Sequence, residues 1–210
     1  MPGASARAQY ARRRVARERR TGKDSPQSGQ EYVWRLGAEG EELLADRLGE
    51  LLADTPVRLL HDRRMPDTKG NIDHTAVAPT GVFVIDAKNY DGPIEKRVEA
   101  GVPGSRRERL IVNGRDRTCL FEGLRRQGEA TTNALEDLPG EPVSVSLMLC
   151  FVNGRFPQLG APIVDGIPAL LPRVAAMEIR KPGPLSADRI AEVTRHLGRR
   201  LHPASRSNKT

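Results

Sequence analysis

Three charged residues, Asp73, Asp86 and Lys88, stand in segments that are otherwise apolar. These segments, NIDHTAVA at 71–78 and GVFVIDAK at 81–88, are rich in β-branched and aromatic residues and predict two strands. The turn residues PTG between them predict an antiparallel hairpin. Side chains alternate along a strand, so Asp86 and Lys88 are expected on one face.

Two aspartates beside a lysine suggest a divalent metal site. An ordinary ion pair between Lys88 and one aspartate is the simpler reading, but it leaves the second carboxylate without a partner. Mg²⁺ binds a few carboxylates together with waters and substrate phosphate oxygens. The set therefore favours Mg²⁺, with Mn²⁺ as a substitute, held directly by Asp73 and Asp86. No Ser/His or Cys/His pairing indicates a covalent intermediate.

Two further polar residues are predicted on the buried faces of helices. Glu41 falls within an apolar stripe of a first helix over residues 35–53, and it holds the ion through water or binds a second ion. The alternative is a partly exposed glutamate near the helix start. Gln127 faces the core from a helix over 119–135. It either positions a water or phosphate, or is satisfied by the backbone.

The remaining pattern predicts an α/β fold. Residues 57–61 and 110–112 are expected to form short strands, the latter followed by an Asn113-Gly114 hairpin turn. The continuous apolar run at 143–152 predicts a buried central strand. Residues 153–185 are rich in Gly and Pro and are expected to hold irregular structure with short strands. A helix capped by Ser186 is expected over 186–201. This order of elements indicates a mixed β-sheet flanked by helices.

The motifs GAEGEE (37–42), NIDHTAV (71–77) and PTGVFVIDAKNYDG (79–92), with the later helix that bears Gln127, resemble the nuclease-related (NERD) family. That family belongs to the PD-(D/E)xK nuclease superfamily. The resemblance runs from about residue 35 to the end of the terminal helix. It implies a restriction-endonuclease-like fold, and we assign residues 31–202 to a NERD-like domain.

The resemblance also implies roles for individual residues. Glu41 matches the helix carboxylate, Asp73 the first strand aspartate, Asp86 the acidic member of the DxK motif and Lys88 its lysine. Gln127 matches a polar residue that positions water or phosphate. The family often has glutamate where Asp86 stands, and the shorter side chain would draw the metal nearer the strand.

The implied function is a Mg²⁺-dependent nuclease that hydrolyses phosphodiester bonds of nucleic acid. The resemblance implies DNA as the substrate, and the residues themselves leave RNA as an alternative. The alternative is a catalytically inactive nucleic-acid-binding module with the same fold. All four motif positions hold chemically competent residues, which favours the enzyme.

Charge is concentrated at the start of the chain. Residues 1–30 hold eight basic and two acidic side chains and so have a net charge of +6, whereas the whole chain has a net charge of +7. The basic residues between 7 and 23 predict a flexible arm that binds a polyphosphate backbone, although a solvated leader is an equal alternative. Residues 203–210 are expected to be a flexible tail. With no apolar run long enough for a membrane span, we expect a cytoplasmic protein.

Overall fold

The fold is known from a computed structural model of the chain, which describes residues 2–21, 29–68, 70–100, 106–157 and 160–204. The helices are α1 (Ala4–Thr21), α2 (Gly29–Leu51), α3 (Leu120–Asn133), α4 (Pro172–Ile179) and α5 (Ala187–Arg200). The first five strands are β1 (Arg58–Arg64), β2 (Asn71–Ala78), β3 (Gly81–Lys88), β4 (Gly92–Ala100) and β5 (Arg106–Val112). The others are β6 (Arg115–Asp116), β7 (Val145–Phe151), β8 (Gly154–Arg155), β9 (Ile163–Val164) and β10 (Ile167–Leu170).

The larger sheet has the strand order β1-β2-β3-β7-β10-β9. Strands β2 and β3 form the predicted antiparallel hairpin, and their register, with His74 opposite Ile85, places Asp73 opposite Asp86. Strand β7 lies between β3 and β10 and runs parallel to both. Residues 148–151 of β7 are buried, as expected for a central strand whose two faces are both covered.

Helices cover both faces of this sheet. Leu44 and Leu48 of α2 and Ile179 of α4 belong to an apolar cluster that includes Phe83 and Ile85 of β3. The opposite cluster joins β3 and β7 to α3 and α5 through buried side chains that include Val84, Leu149, Phe121, Leu124, Ile190 and Val193. The predicted α/β class, with a mixed sheet flanked by helices, is confirmed.

A second sheet has the order β6-β5-β4-β8. The predicted turn at Asn113-Gly114 joins β5 to β6, and both residues have positive φ, as a type I′ hairpin turn requires. Strand β4, which pairs with β5 in antiparallel register, was not predicted. Its sequence, GPIEKRVEA, opens with Gly-Pro and is strongly charged, so its strand signal is weak.

Two helices differ from the prediction. Helix α2 begins at Gly29 rather than at residue 35, so the predicted helix is correct but too short. Helix α4 lies inside the segment that was expected to hold only irregular structure and short strands. It has Pro172 at its first position, where the missing N–H has no helical partner to lose.

The first part of the chain also forms a helix, because α1 extends from Ala4 to Thr21 and packs against α2. Ala6 is buried in this contact, and Arg7 forms an ion pair with Glu42. The rest of the predicted arm, at 22–28, and the end of the predicted tail, at 205–210, lie outside the described residues. The division of the chain into these three segments remains a prediction.

Close packing of α2 against the end of β3 gives a prediction about two glycines. A Cβ on Gly40 would lie 2.7 Å from Cβ of Asn89, whereas a Cβ on Gly49 would meet no atom within 4 Å. We expect Gly40→Ala to lower the free energy of unfolding by about 1–3 kcal/mol. Gly49→Ala, on the same helix, should raise it by up to about 1 kcal/mol. Urea denaturation measures both, and equal effects would contradict the packing described.

Candidate functional site

A cavity of about 610 Å³ lies at the end of β3, between α2 and α3. The sequence-predicted site residues come from two helices and the hairpin, yet all of them line this cavity: Glu41, Asp73, Asp86, Lys88 and Gln127. The fold therefore brings together every residue that the sequence singled out for chemistry.

Asp73 and Asp86 face each other across the hairpin, and Lys88 lies beside them. One carboxylate oxygen of Asp73, Oδ2, accepts a hydrogen bond of 3.1 Å from the backbone N–H of Ala87. The Lys88 ammonium forms an ion pair with Asp86 and also donates to the carbonyl of Ala87 at 3.3 Å. Burial lowers the pKa of Lys88, but Asp86 and Asp73 outweigh this effect and raise it above its ordinary value. Lys88 is therefore the charged donor of the site.

The carboxylates outnumber the lysine. Burial, followed by the charges of Asp86 and Glu41, raises the pKa of Asp73 well above its ordinary range. Burial also raises the pKa of Glu41 to about 8; Asp62 and Asp86 add to the shift, and Lys88 opposes it. Both shifts have the same cause: negative charge is crowded into a poorly solvated space.

Glu41 and Gln127 each present a buried oxygen without a partner in the structure. Glu41 is 8% exposed, and its Oε2 has no hydrogen-bond partner. Gln127 is equally buried, and its Oε1 also lacks one. The backbone alternative for Gln127 is therefore not met at this atom, and the residue lines the cavity. Buried acceptors of this kind are costly unless a bound group satisfies them.

A fourth carboxylate, Asp62, was missed by the sequence analysis. Asp62 lies in β1 between the pairs His61↔His74 and Arg63↔Ile72, and so opposite Asp73. It is 1% exposed and has a positive φ of 49°. The predicted strand stopped at residue 61. Extending it over the following charged residues would have placed Asp62 beside Asp73.

Asp62 is held by two donors from different parts of the chain. Asn71 donates to it through Nδ2 at 3.1 Å and also approaches Oδ1 of Asp73 at 3.5 Å. The backbone N–H of Ser5, in the first turn of α1, donates to it at 2.8 Å. The backbone N–H of Gly3 donates to Glu41. The positive end of α1 thus lies against two of the acidic residues.

Three residues close in sequence to the site residues lie in distinct places. His74 is buried in the sheet, where its Nδ1 lies 2.7 Å from Nδ1 of His61. Burial, and then His61, lowers the pKa of His74 to about 3, so this pair stays neutral. Arg125 pairs with Asp165, whereas Arg126 lines the cavity.

The donor set suits a divalent cation. Within the described residues, no three His, Cys, Asp or Glu side chains are already arranged around one point as ligands. Asp86 is instead paired with Lys88. Three carboxylates with one lysine, an unpartnered oxygen on Glu41 and raised carboxyl pKa values nevertheless show that ionised carboxylates are disfavoured here, and a hard cation would stabilise their ionised form. We therefore treat the residues as fitting Mg²⁺.

The raised pKa of Glu41 makes stability depend on pH. This carboxyl holds its proton more tightly in the folded state than in the unfolded state. Its contribution to the free energy of unfolding is therefore complete below about pH 4.5 and is lost as the pH rises through about 8. Without divalent ions near pH 8, Glu41→Gln should raise the free energy of unfolding by at least about 1 kcal/mol. Glu50→Gln, an exposed change on the same helix, is the control and should have little effect. A loss of stability in Glu41→Gln would mean that the carboxylate is already neutralised in the fold.

Comparison with known proteins gives one match. The family model for the nuclease-related domain, NERD, matches residues 36–151, which is more than half of the chain and includes all five predicted site residues. No curated protein and no solved structure matches significantly. None of the helices in the described part of the chain has the length and apolarity needed to cross a bilayer. The chain belongs to the nuclease-related domain family.

Proposed function

We propose that this protein is a Mg²⁺-dependent nuclease that hydrolyses phosphodiester bonds of DNA. One observation carries the proposal: Glu41, Asp73, Asp86 and Lys88 converge on one cavity, with more carboxylates than cations. A metal-dependent nuclease uses such an arrangement, because the carboxylates hold the cation that neutralises the phosphate. Membership of a nuclease-related family supports the same reaction class.

Asp73 and Asp86 are the proposed direct ligands, and Glu41 holds the ion through water or binds a second one. When bound, Mg²⁺ supplies an activated water and neutralises charge that develops on the phosphate. The backbone N–H of Ala87 donates to Oδ2 of Asp73 and so helps to fix the orientation of this carboxylate. Mn²⁺ is expected to substitute, since it accepts the same oxygen ligands.

Lys88 and Gln127 act on the reacting groups. Once a cation neutralises Asp86, the Lys88 ammonium can donate to a phosphate oxygen and to the attacking water. Gln127 offers Oε1 as an acceptor, which can orient that water without removing its proton. The water oxygen would bond to phosphorus as the bond to the leaving oxygen breaks, with the water proton passing to solvent and the leaving oxygen taking a proton from solvent. No step requires a covalent bond to the protein.

The basic first helix is proposed to bind the DNA backbone. Arg12 and Arg14 are exposed on α1, whose first turn is anchored near the site by Ser5. This anchoring would keep Arg12 and Arg14 on a helix that is attached to the acidic site. Such contacts add affinity without reading sequence.

Cleavage assays with Lys88→Met test the mechanism. Wild-type protein should cleave plasmid or single-stranded DNA with Mg²⁺ or Mn²⁺ and not with EDTA. Lys88→Met keeps the aliphatic stem, so cleavage should fall by about 10²-fold or more, while calorimetry should show Mn²⁺ binding as tight as before or tighter. Metal binding should instead weaken in Asp73→Ala and Asp86→Ala.

Lys96→Met is the matched control, because Lys96 pairs with Glu108 in the second sheet and does not line the cavity. Its cleavage rate should stay near that of the wild type. Unchanged cleavage per folded molecule in Lys88→Met would refute the role of Lys88. No cleavage by the wild type with any metal or substrate would favour the inactive binding module.

Charge removal on α1 tests the arm without deleting its packed first turn. Arg12→Gln combined with Arg14→Gln should weaken DNA binding and reduce the slope of log affinity against log salt by about 1–2. Arg173→Gln combined with Arg180→Gln makes the same charge change at exposed positions of α4 and its end, and should leave the slope unchanged. Equal slopes in the two double variants would leave the arm without a role in binding.

A further inference from the structure

The cavity has an apolar wall that the proposed reaction does not use. Beside the carboxylates, this wall is formed by Trp34, Leu36, Met65, Tyr90 and Leu120. Each of these side chains is partly exposed rather than buried in the core. A site that only hydrolysed a phosphodiester would need charge and hydrogen bonds, and the wall offers mainly ring faces and aliphatic surface.

The two aromatic residues are fixed close to the charged groups. Trp34 precedes Gly37 by three residues and Glu41 by seven, so the three lie on one face of α2. A Cβ on Gly37 would meet nothing within 4 Å, which leaves open space between the indole and the carboxylate. Tyr90 follows Lys88 by two residues on the other side of the cavity.

Tyr90 is held rigidly. Its ring lies 6.3 Å, centroid to centroid, from the buried Phe151, and the Arg117 guanidinium carbon lies 5.0 Å from its centroid. Arg126 is exposed at the same cavity and can pair with a phosphate. The cavity therefore combines a cation site, an arginine and aromatic surface within about 610 Å³, a size typical of small-ligand pockets.

We propose that this wall is a subsite for one unpaired nucleobase next to the scissile phosphate, and that the substrate is single-stranded DNA or an unpaired end. The proposal rests on the proposed nuclease function. Every nucleobase has a flat aromatic face, so stacking on Trp34 or Tyr90 is favourable and tolerant of sequence. A base inside a duplex is already stacked and paired, and must first leave the helix to reach such a pocket.

The chain offers a direct probe, because Trp34 is its only tryptophan. Full-length protein is titrated with a short single strand, the matching blunt duplex, and the same strand carrying abasic residues. Ca²⁺ replaces Mg²⁺, and strand integrity is checked afterwards. The normal single strand should quench Trp34 fluorescence and bind at least about fivefold more tightly than the abasic strand. The duplex should bind more weakly than the single strand, with little quenching.

Substitutions of Trp34 test whether this residue causes the base-dependent gain in affinity. By fluorescence anisotropy with a labelled strand, Trp34→Ala and Trp34→Leu should each lose about fivefold or more in affinity for the normal strand. Neither variant should lose affinity for the abasic strand. Trp34→Phe should keep most of the preference for the normal strand over the abasic strand. Tyr32→Ala is the control, since Tyr32 is exposed, contacts Arg35 and does not line the cavity. Thermal melts confirm that each variant is folded.

The possible outcomes distinguish failure of the base subsite from failure of the proposed nuclease activity. Equal affinity of the wild type for normal and abasic strands would overturn the base subsite, even if DNA is cleaved. Tight duplex binding with no quenching would overturn it as well. Base-dependent binding with no cleavage under any metal would support the subsite and refute the proposed catalytic function.

Discussion

The crowding of carboxylates around a single lysine is the constraint on which the site depends. Asp73 and Asp86 face each other across a hairpin, Glu41 approaches from a helix, and Asp62 lies opposite Asp73, while Lys88 forms an ion pair with Asp86. Such an arrangement opposes folding, because each charge loses water and meets another of the same sign. The apolar clusters on both faces of the sheet hold it in place. This repulsion between poorly hydrated carboxylates is the physical basis of the affinity expected for a cation.

Much of this could be predicted because the relevant elements carry strong local signals. The hairpin strands were predicted with the bounds they have, since alternating β-branched residues and a Pro-Thr-Gly turn leave little freedom. Their register alone then places Asp73 opposite Asp86. Glu41 stood out as a charge inside an apolar stripe. The roles of these residues remain proposals, because position does not reveal what a side chain binds.

What escaped prediction depends on contacts distant in sequence. Asp62 follows a histidine and precedes two arginines, so it looks like a solvent-facing residue, and only pairing with β2 and contact with Ser5 bury it. Helix α4 is hidden in a Gly/Pro-rich segment, and β4 has too many charges to resemble a strand. The cavity wall brings together Trp34, Met65, Tyr90 and Leu120 from separate parts of the chain, and no local sequence pattern predicts such a surface.

The parallel pairing of β3 with β7 has a consequence for biosynthesis. Val82 pairs with Val145 and Lys88 with Phe151, so about sixty residues must be made after β3 before its second edge is covered. The β2–β3 hairpin can form earlier, because its partners are adjacent in the chain, whereas non-local parallel pairing is slower. Asp86 lies opposite Leu149 of β7, so its edge of β3 stays open to water until β7 has been made. A nascent chain would gain its acidic centre late, when most of the domain has already been translated.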